Sequence, residues 1–156
     1  MLFSFVTVAV LLCSSAAHAQ EKVTRIPLPP PHDAFPISAG VWVGNTLYLS
    51  GMMSPTVGTA TPGDTKEQTI GAIQQIQKAL EAQKLTLGDV VMMHAYLAGD
   101  PAKEGKMDFA GFMAGYTQFF GTKDQPNKPA RSAMQVAALA APKGLIEIEV
   151  VAVSSK

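Results

Sequence analysis

Near the end of this 156-residue chain, Glu147 and Glu149 alternate with Ile146, Ile148 and Val150. In an extended strand that alternation sends both acids to one face and the three apolar side chains to the other. Two carboxylates on one face of an apolar strand either stand in water or serve some chemistry, because burial without partners is costly. Arg131 follows Pro129-Ala130 at the start of a neighbouring strand candidate and is one of only two arginines, the other being Arg25. Its planar fork suits either a structural pairing with a glutamate or the carboxylate of a ligand. The pattern alone leaves both pairs of alternatives open.

Other chemistries find less support. The three histidines, His18, His32 and His94, are scattered and do not form a cluster with acids or cysteines at ligand spacing, so no metal site is expected. Met52-Met53 and Met92-Met93 are adjacent pairs whose side chains point to opposite faces of a strand, which suits packing better than chelation. The single cysteine allows neither an internal disulfide nor a CxxC site. No GxSxG, Walker-A, GxGxxG or HExxH motif occurs, and no cofactor is expected. Twelve basic residues balance twelve acidic ones, which argues against a general electrostatic grip on nucleic acid or an anionic membrane.

These residues need elements to hold them. Residues 1–19, uncharged and apolar up to Cys13, end in Ala17-His18-Ala19 and resemble a secretory signal peptide cleaved before Gln20. The mature product is expected to be periplasmic or secreted, with no membrane association after cleavage. Residues 20–156 then form one domain, and the proline-rich stretch 20–38 is expected to be an extended arm. Two β-prone runs flank Gly44-Asn45 and predict a hairpin, with Gly51 marking a close approach or a strand end. Ile70, Ile73, Ile76 or Gln77, and Leu80 fall at helical spacing over 65–84. Val90 to Leu97 reads as a strand. Asp108 caps a second helix carrying the stripe Phe109, Phe112, Met113, Tyr116 and Phe119 or Phe120. Strands at 130–136 and 145–153 complete the order β-β-α-β-α-β-β, an α+β sandwich with both helices on one face of the sheet. The other face is expected to be buried by oligomerisation.

Several of these segments recur together, in order, in one family. Val43-Gly44-Asn45-Thr46-Leu47-Tyr48-Leu49-Ser50-Gly51, Gly88-Asp89-Val90-Val91, Asp108-Phe109-Ala110, Lys128-Pro129-Ala130-Arg131-Ser132 and Ile146-Glu147-Ile148-Glu149-Val150 resemble the Rid (reactive intermediate deaminase) family, also called YjgF-type or L-PSP proteins. The resemblance spans about 35–153. It implies a chorismate-mutase-like fold of the bacillus type and a homotrimer with pockets between subunits. It also implies hydrolytic deamination of small 2-imino acids to 2-oxo acids and ammonia. Arg131 would hold the substrate carboxylate, and Glu147 would position the attacking water. The pocket implied by the family includes Gly51, Ile37, Met113 and Ala133. At the last three positions the chain departs from the usual active pattern, in which a tyrosine, often an asparagine, and often a cysteine or threonine stand. A non-catalytic exported trimer, binding small carboxylates or acting as a chaperone-like partner, is the alternative. A ribonuclease role gains nothing from the neutral charge and the lack of a histidine pair.

Overall fold

The computed structural model describes residues 21–155. The proposed leader therefore lies outside the described residues. Six strands form one mixed sheet in the order β1-β2-β3-β6-β4-β5: β1 Val23–Pro27, β2 Ser38–Val43, β3 Thr46–Met52, β4 Val90–Leu97, β5 Ala130–Gln135 and β6 Ile146–Val153. Two helices, α1 Thr65–Ala82 and α2 Phe109–Tyr116, cover one face. The expected order holds with one addition. Residues 23–27 of the arm are not a free extended segment but an edge strand, paired antiparallel with β2 from Val23↔Val43 to Pro27↔Ser38. The β-branched and apolar residues Val23, Thr24 and Ile26 precede the proline cluster, and Pro27 ends the strand where its missing N–H breaks the ladder.

Local sequence explains each boundary. Gly44, at φ +58°, turns β2 into β3, a conformation glycine adopts without steric cost. A full capping box starts α1: the Asp64 carboxylate accepts from the Glu67 N–H at 2.8 Å, and the Glu67 carboxylate accepts from the Asp64 N–H at 3.0 Å. Asp108 caps α2 by accepting from the Gly111 N–H. This helix stops at Tyr116, one turn earlier than the aromatic stripe suggests, so Phe119 and Phe120 pack from the turn after it.

The alternation of β6 decides what each face does. Ile146, Ile148, Val150 and Ala152 are buried with Leu47, Leu49, Met93, Ala95 and Leu97 against Ile73, Ile76 and Leu80 of α1 and Phe112 of α2. On the opposite face, cross-strand partners form rows. Val41, Tyr48, Val151, Met92 and Ala130 make one apolar row spanning five strands. The next rows run Glu149, His94, Ser132 and then Glu147, Tyr96, Met134. Tyr48 and Met134 remain 48% and 42% exposed, so this face presents apolar surface to solvent in the single chain.

Candidate functional site

Arg131 is the second residue of β5, which pairs in parallel with β4. Its side chain turns to the helix-covered face. There the guanidinium carbon stands 4.5 Å from the ring centre of Tyr116, 4.9 Å from that of Phe112 and 6.0 Å from that of Phe109. Nη1 donates to the sulfur of Met113 at 3.2 Å. Among the described residues, no carboxylate pairs with Arg131. The carboxylate of Glu149 is instead met by His94, whose Nδ1 lies 2.9 Å from Oε1. Arg131 is thus held on its faces by π-systems, an attraction of about 0.5–2 kcal/mol per contact, and its charge is left for something else. Burial raises the Tyr116 phenol above its ordinary pKa, with the Arg131 charge working in the other direction. Ala133, two residues on and on the same face, packs partly buried against the core, as does Met113.

Glu147 faces the other way. It is partly buried on the open face, and its carboxyl is raised above the ordinary value, first by burial and second by the negative charge of Glu149. Among the described residues no side-chain hydrogen bond reaches it. Gly51 lies directly against it: a Cβ there would overlap the Glu147 carboxyl group. Ile37 stands just before β2 at the same end of the sheet, where the Ser50 hydroxyl donates to the Ser38 carbonyl at 2.7 Å. It is 61% exposed.

The six residues singled out from the sequence therefore fall into two groups. Arg131 meets Met113 by α2, with Ala133 on the same face, while Glu147 meets Gly51 on the open face and Ile37 stands exposed just before β2. Arg131 is level with Met93, and Met93 with Val150, so Glu147 is two strands over and three residues along. At ordinary strand spacings that is roughly 14 Å between Cα atoms, with the side chains on opposite faces of the sheet. One protomer does not bring Arg131 and Glu147 to a single small ligand.

Two arrangements escaped the sequence analysis. The aromatic stripe of α2 is visible in the sequence, but its partner, Arg131 eighteen residues after Met113, is not. His94 is more than a packed strand residue: its Nδ1 lies 2.9 Å from Glu149 Oε1, and the Tyr96 hydroxyl donates to the same oxygen at 2.8 Å. The alternation of His94 and Tyr96 on β4 opposite Glu149 and Glu147 on β6 was the signal available. A cavity of about 260 Å³ beside this cluster is lined by Tyr48, Met92, His94 and Glu149. Two larger clefts, about 640 and 770 Å³, lie elsewhere on the surface and contain neither Arg131 nor Glu147. Among the described residues no group of three His, Cys, Asp or Glu side chains is placed to hold a metal. No described helix is long and apolar enough to cross a membrane.

Comparison with known proteins agrees with this arrangement of strands and motifs. The model of the family described as endoribonuclease L-PSP matches residues 30–154. The chain belongs to the L-PSP family. Among curated L-PSP relatives, a RutC family protein of Pyrococcus horikoshii is 36% identical over 120 residues, 75% of this chain and 86% of that one. The 2-iminobutanoate/2-iminopropanoate deaminase of Capra hircus is 37% identical over 121 residues, 76% of this chain and 80% of the relative. Among solved structures, E. coli TdcF with bound serine superimposes with a TM-score of 0.66 at 29% identity, covering 84% of this chain and 94% of that one. Rv2704 of Mycobacterium tuberculosis, a member of the YjgF/YER057c/UK114 family, gives 0.66 at 26% identity, covering 85% and 100%. The L-PSP fold thus accounts for the chorismate-mutase-like α+β architecture seen here.

Proposed function

We propose that this L-PSP protein is a homotrimeric hydrolase that converts small 2-imino acids to 2-oxo acids and ammonia, at sites built between neighbouring protomers. The observation that carries the reading is the split of the site. Among the described residues, an arginine without a carboxylate partner lies on one face, and a partly buried glutamate without a side-chain donor lies on the other. A second copy, packed on the apolar open face, supplies the missing half. Relatives named 2-iminobutanoate/2-iminopropanoate deaminase at 37% identity favour the same reaction class.

In the proposed reaction Arg131 holds the substrate carboxylate through the guanidinium edge that Met113 leaves free. Glu147 of the neighbouring copy orients a water molecule, accepts its proton as the oxygen adds to the imine carbon, and returns that proton to the nitrogen. The hydroxyl proton of the resulting carbinolamine then passes through Glu147 to the nitrogen as the C–N bond breaks, which releases ammonia and leaves the 2-oxo acid. A carboxyl raised above its ordinary pKa is better matched to both accepting and returning a proton. An activated imine needs positioning and a held water more than a strong nucleophile.

The alternative, a non-catalytic trimer that binds small carboxylates, is favoured by the apolar side chains at Met113 and Ala133, which leave Arg131 as a charge anchor without side-chain polar groups beside it for the reacting atoms. A coupled assay separates the two. An amino-acid oxidase generates the imine, and the protein either accelerates its loss or leaves the spontaneous rate unchanged. Export to the periplasm or medium is proposed as well, on the strength of residues 1–19, with Gln20 as the mature N-terminus read by N-terminal sequencing.

A further inference from the structure

The open face carries two glutamates two residues apart, and the structure treats them differently. Glu149 is clamped. His94 stands directly across from it on β4, and Tyr96, whose direct cross-strand partner is Glu147, reaches diagonally to Glu149 instead. Both donors converge on one oxygen, Oε1, with the two rings 6.3 Å apart. A proton on Nδ1 makes the imidazole contact a hydrogen bond. Glu147 receives neither donor. Two strand residues apart on one face, the carboxyl groups branch from positions roughly 7 Å apart, close enough for unlike protonation to be favoured over two charges.

We propose that Glu149 is a positioning residue for Glu147: His94 and Tyr96 hold its carboxylate in place on the open face, two strand residues from Glu147, where it sets the electrostatic surroundings of that acid. The inference rests on the water-orienting role proposed for Glu147 and adds what tunes it. Burial and the Glu149 charge both raise the Glu147 carboxyl, whereas hydrogen bonding to Glu149 is the leading reason that the Tyr96 phenol is raised. Tyr96 therefore stays a donor across the working range, and Glu149 keeps its orientation. The groups facing this cluster are few. His94 and Tyr96 come from β4, Glu147 from β6 and Tyr48 from β3, while β5 offers the uncharged Ser132 and Met134. Environments that push two neighbouring carboxyls apart are the usual way one fold assigns a proton carrier and a fixed charge.

The test uses the full mature protein and two readouts. Carbon-13 NMR of the glutamate carboxyls follows Glu147 directly, and the pH profile of kcat/KM for imine loss follows its effect on turnover. In Glu149→Gln the Glu147 titration moves to lower pH, because the like charge is gone while burial remains. Glu149→Asp keeps the charge and returns the titration most of the way to wild type. The acid limb of kcat/KM moves with the NMR titration in both variants. A Glu147 titration unmoved in Glu149→Gln overturns the proposal and makes Glu149 a structural residue. If the titration moves as stated but no variant, and no wild-type protein, hydrolyses an imine, the control of Glu147 by Glu149 stands and the deaminase reading falls.

Discussion

Gly51→Ala places one methyl group against the proposed water-orienting carboxylate. Gly51 is exposed and its backbone carries no positive φ, so alanine fits the strand conformation. The added Cβ would overlap the Glu147 carboxyl oxygen and come within 2.8 Å of its Cδ and 3.0 Å of its Cγ. These atoms belong to the flexible end of a side chain, so the chain relieves the clash by swinging Glu147 away instead of distorting the sheet. Stability should change by less than about 1 kcal/mol, the scale on which glycine and alanine differ in a strand. Relief of such an overlap moves the carboxylate by an ångström or more. Misplacement on that scale costs on the order of 10²-fold in turnover. The coupled oxidase assay, run beside a thermal melt, reads both effects. Wild-type turnover with an unchanged melt would refute the placement of Glu147 at the reacting water. A large fall in melting temperature would show that the strand, and not the side chain, absorbs the clash.

Three more outcomes follow from the same geometry. Arg131→Lys keeps the charge but loses the bidentate fork and the planar stacking on Phe112 and Tyr116; calorimetry with 2-oxobutanoate should show binding weaker by about 1.5–3 kcal/mol. Met113→Ala removes the sulfur that Arg131 Nη1 now contacts and puts no acceptor in its place, so 2-oxo acid binding should tighten, and unchanged affinity in calorimetry would mean that the contact yields freely to ligand. Glu147→Gln should lower imine hydrolysis by about 10²-fold or more while changing 2-oxo acid binding far less. The same variant tests the raised carboxyl through stability. A glutamate raised in the folded state favours folding below its unfolded pKa and loses that contribution as pH rises through the folded value. Melting curves of wild type and Glu147→Gln should therefore converge in acid, and the glutamine variant should gain relative to wild type toward neutral pH.

Much of the architecture was legible because alternation and helical spacing are local signals. Ile146-Glu147-Ile148-Glu149-Val150 told which side of β6 meets the helices, and Gly44-Asn45 told where β2 turns into β3. Residues 23–27 were not legible as a strand. Their pairing partner lies beyond a proline cluster, and pairing across such a gap is set by tertiary contact with β2 and not by local preference. The motif residues Arg131 and Glu147 were individually visible, but their faces follow from two separate strands joined through β4. Nothing in the spacing of Pro129-Ala130-Arg131 and Ile146-Glu147-Ile148 says that one side chain lies above the sheet and the other below. The Glu149 clamp depends likewise on the register of β4 against β6, a one-residue slip of which would send His94 and Tyr96 to the other face.

The most direct test of the central claim mixes two inactive proteins. Arg131→Ala keeps Glu147, and Glu147→Gln keeps Arg131, so neither homotrimer has an intact site. If each site draws Arg131 from one protomer and Glu147 from its neighbour, random reassembly of an equal mixture restores about a quarter of the sites in a closed ring of three. The account predicts imine hydrolysis at about that fraction of the wild-type rate after co-refolding, with both separate variants silent and light scattering reporting three protomers. No activity in the reassembled mixture, from variants that form trimers and in an assay where wild type is active, would contradict a site shared between copies.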